Sequence, residues 1–481
     1  MNFEPIRDRI RTTLVEETLP SLSVAVSRQG EVLWEEAFGW ADRERRILAT
    51  SHTLYSLASI SKPITATGVM VLRERGLLDP DRPVNDYLGA AKLLARVGQA
   101  ADATVRRVAD HTSGLPLHHH FFYADEPECR PSMDETLRRY GNLVTPPGER
   151  FQYSNLGYGV LDYVIRRLSG KLYADFMHEE VFLPLGMTRA SVEVAPSLAQ
   201  YAAIRYGGDG VPYPHYDFDH PGGSAVYCSA HDLLAFGRFH LGEQLPGQKA
   251  ILSPETRAEM QAVTAHREPG DYGFGWNVQT DEHGRHTVSH SGGMGGVSTL
   301  LKLVPSEKIA VVTLANAACR LPHTIAEDIL AALLPDYGAR LTAKREADAV
   351  RPAPESAAEF SGDPRLRGEW SGAVVVPDGE RAIALRFRRG RDLHVRLGAG
   401  FWSLVNDLQF RNDCLTGRFL GDLGTPDASR RPHHLHLDLR LRGRALNGAL
   451  IARTEIVGAS GGAPGRRMGD ALSHWMEVRR T

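Results

Sequence analysis

An α+β unit followed by a small all-β unit is the fold class the sequence predicts, and three observations carry it. Residues 1 to about 340 mix helical and strand patterns, with a strand hairpin early and further strands late. The stretch TAKREADAVRPAPESAAEFSGDP that follows is rich in Ala, Glu and Pro and has no apolar periodicity, which reads as a linker. Beyond it, short apolar runs alternate with turn residues, and HLHLDLRLRG alternates with period two, the pattern of a half-buried strand. The expected boundaries are 1–340 for the first unit, 341–362 for the linker and 363–481 for an antiparallel barrel or sandwich.

The first unit opens on a helix over Glu4–Glu17, with Ile6, Ile10 and Leu14 on one face. Strands Ser23–Arg28 and Glu31–Phe38 follow, joined at Gln29-Gly30, a hairpin signal. A helix runs from Ser59 to Arg75 and stops before Gly76; Leu233–His240 and Thr324–Leu334 are also helical. Strands recur at Thr287–His290, Ser298–Val304 and Ile309–Ala315. Helices between an early hairpin and late strands predict one sheet built from both parts of the chain, with helices packed on it. In the second unit the expected strands are Ala373–Val376, Ala382–Phe387, Leu393–Leu397, Phe401–Leu404, Leu415–Leu420, Leu435–Leu441 and Trp475–Val478.

Composition narrows the function. The chain has 481 residues, 42% hydrophobic and 24% charged, which is ordinary for a globular protein. Lys+Arg number 56 and Asp+Glu 58, so no global field favours nucleic acid or an anionic membrane. Charge is uneven: from residue 351 onward there are 21 Arg, no Lys and 15 Asp+Glu, a net of +6 against −8 for the rest. That asymmetry suits docking of the two units, and equally a merely solvated Arg-rich surface. The first twenty residues contain no apolar run, and no stretch approaches the length of a membrane span, so a cytoplasmic location is expected. Cys129, Cys228, Cys319 and Cys414 are far apart and read as free thiols.

Three short motifs carry chemistry. Ser59 and Lys62 lie about one helical turn apart, so they share a face, and a lysine of lowered pKa can take a serine's proton. Tyr153 and Asn155 follow the loop marked by Pro146, Pro147 and Gly148; a tyrosine beside a lysine can carry protons, and Asn155 offers a donor and an acceptor. His290-Ser291-Gly292-Gly293 closes a strand with small residues, so a substrate can approach and the Gly293 N–H can face a developing oxyanion. Alone, these motifs are equally at home in a helix start, an aromatic beside a loop, and a turn with a surface histidine.

Together, their order and spacing resemble the serine β-lactamase and penicillin-binding-protein superfamily. His111-Thr112-Ser113-Gly114-Leu115, Gly222-Gly223-Ser224 and Tyr272-Gly273-Phe274-Gly275-Trp276 resemble segments of its class C β-lactamase-like branch, which includes family VIII carboxylesterases, D-aminopeptidases and D-alanyl-D-alanine carboxypeptidases. The resemblance covers roughly residues 5–335. It implies an antiparallel sheet flanked by helices, a helical lobe, and a site between them. It implies Ser59 as the acylated nucleophile, Lys62 and Tyr153 as the proton-transfer pair, Asn155 as their orienting partner, His290 in the position often held by lysine, and Gly293 in the oxyanion hole. His111, Tyr216, Asp217, Phe218 and Gly292 are then expected to contact substrate, with Asp217 or Asp219 able to hold an amine.

His290 departs from the lysine that binds the carboxylate of penicillins, which lowers the β-lactamase and D,D-peptidase readings. A carboxylesterase on small esters or amides is expected first, a D-amino-acid peptidase second, and a non-catalytic binding module is the rival class. No cofactor and no metal is expected: His118, His119 and His120 do not share a face, and the run His215–His220 reads as a loop bordering the acyl pocket. Glu369-Trp370-Ser371-Gly372 resembles the start of the lipocalin-like barrels that some D-aminopeptidases append. Such a barrel is expected to restrict the cleft, stabilise the fold or support a homo-oligomer.

Overall fold

The protein is described by a computed structural model covering residues 2–243, 245–280, 284–350, 360, 362–388, 392–454 and 467–481, with side chains of 344–350 left aside. The first unit is built on an antiparallel sheet. Among the described residues its strands run in the order Asp271–Tyr272, Asn277–Thr280, His286–Met294, Val297–Val304, Ile309–Ala315, Ser21–Arg28, Glu31–Asp42, Ile47–Leu48. The early hairpin thus pairs with the late strands, as expected: Val24 stands opposite Thr313, and Thr299 opposite Leu314.

Alternation along Ser21–Arg28 sends side chains to two cores. Leu22, Val24 and Val26 join Ile6 and Ile10 of the helix Glu4–Glu16, and Ile325 and Ile329 of the helix Leu321–Leu333. Ala25 faces the other way, into the core shared with the helical lobe. At the centre of that lobe lies the helix Ser61–Glu74, buried at every position from Ser61 to Leu72. Its polar groups are satisfied internally: Thr65 Oγ1 donates to the Gly222 carbonyl at 2.7 Å, and Ser61 Oγ accepts from the Val226 N–H at 3.0 Å.

Among the described residues the second unit is a nine-stranded antiparallel sheet: Ser403–Leu404, Asp392–Leu397, Gly379–Arg388, Gly368–Val376, Ala471–Arg480, Ala445–Thr454, His433–Arg442, Cys414–Phe419, Asn406–Arg411. The two outermost strands are separated in sequence by Val405 alone, so the edges meet and the sheet curls into a nearly closed barrel. Leu435, Leu437 and Leu439 point inward as the period-two pattern requires. Trp370 is buried inside and donates to the Leu366 carbonyl at 2.9 Å.

Ala445–Thr454 was not anticipated, because it does not alternate: eight consecutive residues from Ala445 are buried. One face lies inside the barrel. On the other, Ala449 and Ile451, with Ala471 and Trp475 of the neighbouring strand, pack against Val144, Val97 and Leu117 of the first unit. The expected strand at Phe401–Leu404 is only Ser403–Leu404, and Phe401 is exposed. Residues 341–350, expected without regular structure, belong to the helix Pro335–Val350; 351–359 and 361 of the expected linker lie outside the described residues.

Arginines of the second unit do meet acids of the first. Arg430 and Arg431 bind Glu126 at 2.6 and 2.7 Å, and Arg442 binds Glu149 at 2.6 Å. The exchange also runs in reverse, with Arg139 on Asp427 at 2.9 Å and Arg150 on Asp438 at 3.2 Å. Charge asymmetry therefore explains part of the junction and the apolar face described above the rest.

Candidate active site

Ser59 sits not on the α-helix but on a 3₁₀ turn, Ala58–Ile60, that feeds it. Ala58 before it has φ +47°, a left-handed conformation a non-glycine residue adopts only where its surroundings hold it. Lys62, in the first turn of the α-helix, is fully buried, while Ser59, Tyr153 and Asn155 are each partly exposed. The three motifs converge here. Lys62 Nζ lies 3.1 Å from Ser59 Oγ, 2.8 Å from Asn155 Oδ1 and 2.9 Å from the Gly223 carbonyl oxygen. Its nitrogen is 4.8 Å from the Tyr153 ring centre, and the Ser59 side chain lies close enough to the Tyr153 hydroxyl to offset part of the effect of burial on it.

Asn155 is placed by helix chemistry. It opens the helix Asn155–Ser169, whose N-cap Ser154 accepts from the Gly157 N–H at 3.2 Å and whose end is marked by Gly170 with φ +70°. The Ser154 N–H in turn donates to His111 Nδ1 at 3.1 Å. His111 is buried with φ +64°, and its ring lies 4.3 Å from that of Tyr153; among the described residues its Nε2 meets no partner.

Burial sets the electrostatics. Every hydrogen-bond partner of Lys62 among the described residues is neutral, and desolvation pushes its amine well below the ordinary lysine value. Desolvation, with Lys62 next, also holds His111 well below its usual range, and brings His290 down to about 3. Desolvation raises Tyr153, so it remains a phenol despite the lysine beside it.

The strand His286–Met294 forms the opposite wall. His290 Nδ1 donates to the Ser291 carbonyl at 2.8 Å, which leaves Nε2 to accept from the Tyr272 hydroxyl at 3.0 Å. Both ring nitrogens of His290 are thus occupied within the protein, and the ring is neutral. Gly292 presses on the nucleophile turn: a Cβ there would lie 2.0 Å from the Leu57 carbonyl oxygen. Gly293 is exposed, and a Cβ on it would meet nothing within 4 Å.

The loop expected to contact substrate is more deeply set. Tyr216 and Phe218 are buried in a cluster with Phe121 and Tyr123, and Tyr216 donates to the Gly295 carbonyl at 2.9 Å, just beyond Gly293. Asp217 pairs with His215 at 3.3 Å, and Asp219 lies buried 2.8 Å from His118 and in contact with His220. Burial opposes ionisation of Asp219, yet the two imidazoles hold its carboxyl well below the usual range, so this carboxylate is engaged inside the loop. Among the described residues no group of three or more His, Cys, Asp or Glu is placed to hold a metal ion, and no helix is long and apolar enough to cross a membrane. The sequence offered His119 only within a histidine run and Gly223 only within a resembling segment; in the structure the Gly223 carbonyl lies 2.9 Å from Lys62 Nζ, and His119 Nδ1 is 3.5 Å from Asn155 Nδ2. A backbone carbonyl leaves no signature in a sequence, and nothing in the histidine run itself separates His119 from His118 and His120.

Comparisons with known proteins agree with this architecture. The Beta-lactamase family model matches residues 6–334. Penicillin-binding protein 4* of Bacillus subtilis (strain 168) is 28% identical over 331 residues, 63% of this chain and 70% of that protein. Protein flp of Staphylococcus aureus (strain N315) is 25% identical over 303 residues, 62% of this chain, and the chain spans only 60% of that protein's length. Among solved structures, the octameric penicillin-binding protein homologue from Pyrococcus abyssi superposes with a TM-score of 0.61 at 21% identity, covering 98% of this chain and 100% of that one. SurE, solved with D-Leu, gives 0.61 at 21% identity over 99% of both chains, and a class C β-lactamase 0.60 at 19% over 69% of this chain and 96% of its own. The catalytic-type fold, the converged motifs and the family match over two-thirds of its length place this chain in the β-lactamase family of serine hydrolases.

Proposed function

We propose that this protein hydrolyses small ester or amide substrates through an acyl-enzyme at Ser59. The surroundings of Lys62 carry the reading. A neutral lysine amine has two N–H bonds and one lone pair. The Gly223 carbonyl and Asn155 Oδ1 only accept, so they take the two N–H bonds. The lone pair is left facing Ser59 Oγ at 3.1 Å, where it takes the hydroxyl proton as the oxygen attacks. Tyr153, a phenol whose ring lies 4.8 Å from the Lys62 nitrogen and whose hydroxyl lies near Ser59, relays a proton to the leaving group and later draws one from the attacking water. The N–H groups of Ser59 and Gly293 receive the oxyanion.

The acyl group is the finer question. A neutral His290 with both nitrogens engaged offers no cation for a penicillin carboxylate, which argues against β-lactams. The sequence placed a carboxylesterase first. Likeness over nearly the whole chain to a protein solved with D-Leu supports D-aminoacyl esters or amides instead, with simple acyl esters second. Intact-protein mass spectrometry after brief exposure to a short acyl ester, a D-aminoacyl ester and a penicillin tests this. A mass gain with the D-aminoacyl ester on wild type and none on Ser59→Ala is expected. No adduct and no turnover with the whole panel would replace the hydrolase with a binding module.

Likeness to an octameric homologue over 98% of the chain supports self-association through the barrel, where Phe401, Leu404 and Leu420 are exposed. Light scattering is expected to report a mass well above one chain; a monomer at micromolar concentration would end this proposal.

A further inference from the structure

Segment 468–471, which leads into the barrel strand Ala471–Arg480, reaches the catalytic centre. It is held firmly. Asp470 accepts from the Phe121 N–H at 2.8 Å and binds Arg431 at 2.7 Å, and the Met468 N–H is bonded to the Tyr123 hydroxyl. Gly469 can approach the Thr454 carbonyl only because it lacks a Cβ, which would lie 2.3 Å from that oxygen. This segment then grips His119 three times. The His119 N–H donates to the Ala471 carbonyl at 3.0 Å, the Ala471 N–H returns a bond at 2.9 Å, and His119 Nε2 lies 3.2 Å from the Gly469 carbonyl oxygen.

We propose that His119 is a positioning residue through which the barrel fixes the amide of Asn155, and through it the lone pair of Lys62. This rests on the reading of Lys62 as proton acceptor. A carbonyl oxygen only accepts, so the contact with Gly469 puts the imidazole proton on Nε2. Nδ1 is then an acceptor, and the group it faces at 3.5 Å is Asn155 Nδ2, which only donates. Asn155 is thereby turned with Oδ1 toward Lys62 at 2.8 Å. With the amide flipped, its NH₂ would face the amine, compete with Ser59 for the lone pair and leave one lysine N–H unpaired. Desolvation, with His220 and His118 nearby, brings the His119 ring down to about 3, so the single-proton form this relay needs is the one present.

Three variants separate this role from simple anchoring. Asn at 119 keeps an acceptor near the place of Nδ1; Gln keeps a donor toward Gly469; Ala keeps neither. His119→Ala is expected to slow acyl-enzyme formation about 10- to 100-fold with KM changed less than 3-fold. His119→Asn is expected to recover to within about 3-fold of wild type, and His119→Gln to remain as slow as Ala. Equal rescue by Gln, or wild-type acylation in Ala, overturns the proposal. A second readout needs neither turnover nor a folded variant. Histidine ¹⁵N spectra of the wild-type protein are expected to show a neutral His119 protonated on Nε2, and an Nδ1-protonated ring overturns the proposal even if the enzyme is active. If wild type forms no acyl-enzyme at all, the reading of Lys62 fails, and the ¹⁵N result still decides how His119 is set.

Discussion

A Lys62→Arg protein is expected to form the Ser59 acyl-enzyme about 10²- to 10⁴-fold more slowly than wild type, the usual contribution of a positioned general base. Arginine can still donate to Asn155 and Gly223, but it stays protonated at every accessible pH and has no lone pair for Ser59. Lys62→Met removes the base without adding a charge and should lose a comparable factor. Raising the pH should rescue neither. Time-resolved intact-mass measurements across pH make the comparison, and an arginine variant acylating at the wild-type rate would remove Lys62 from the proton path. In wild type, acylation should fall as acid protonates the amine. Stability follows the same sign. Between the depressed value of Lys62 and about 10.4 the unfolded chain holds a proton the folded one does not, so stability at this position declines as pH falls through that window.

The second large effect is expected at Gly292. The Cβ of Gly292→Ala would lie 2.0 Å from the Leu57 carbonyl oxygen, 2.4 Å from Thr299 Oγ1 and 3.0 Å from Ala58 Cβ. These atoms are not soft. The Leu57 carbonyl accepts from Thr299 Oγ1 at 3.0 Å and from the Ile60 N–H at 3.2 Å, so it closes the turn that carries Ser59. Relief requires the strand or the turn to move, at a cost of about 1–3 kcal/mol for overpacking. A displacement approaching 1 Å at the nucleophile costs on the order of 10²-fold in rate. Gly293→Ala, one residue along, meets nothing and should melt like wild type. Thermal denaturation with acylation kinetics tests the pair, and equal behaviour of the two alanines would sink the argument.

Legibility of the fold followed the physics of each segment. HLHLDLRLRG was readable because its strand has one wet face and one dry one, and alternation records that difference. Ala445–Thr454 was not, because both of its faces are dry and the sequence has nothing to alternate. Residues 341–350 were read as linker because their helix carries no apolar stripe. In the site, Ser59, Lys62, Tyr153, Asn155 and His290 announce themselves by residue type and spacing. That His290 spends both nitrogens internally could not be foreseen, since it depends on Tyr272 folding back across the sheet. His119 was weighed only as one of three adjacent histidines. What distinguishes it from His118 and His120 is a carbonyl supplied by Gly469, 350 positions along the chain.

That span has a bearing on how the protein comes into being. During synthesis the nucleophile turn, its helix and the strand His286–Met294 all leave the ribosome well before Gly469 and Ala471. Contacts of such sequence separation form late, after the entropy of closing a very long loop has been met by other interactions. The last contact of the constellation around Ser59 therefore forms only when the strand Ala471–Arg480 inserts between Gly368–Val376 and Ala445–Thr454 and its first residue pairs with His119. Chains released before that strand is made carry the nucleophile without its last constraint. On the proposed role of His119, a chain lacking that strand would acylate at Ser59 more slowly than the finished protein.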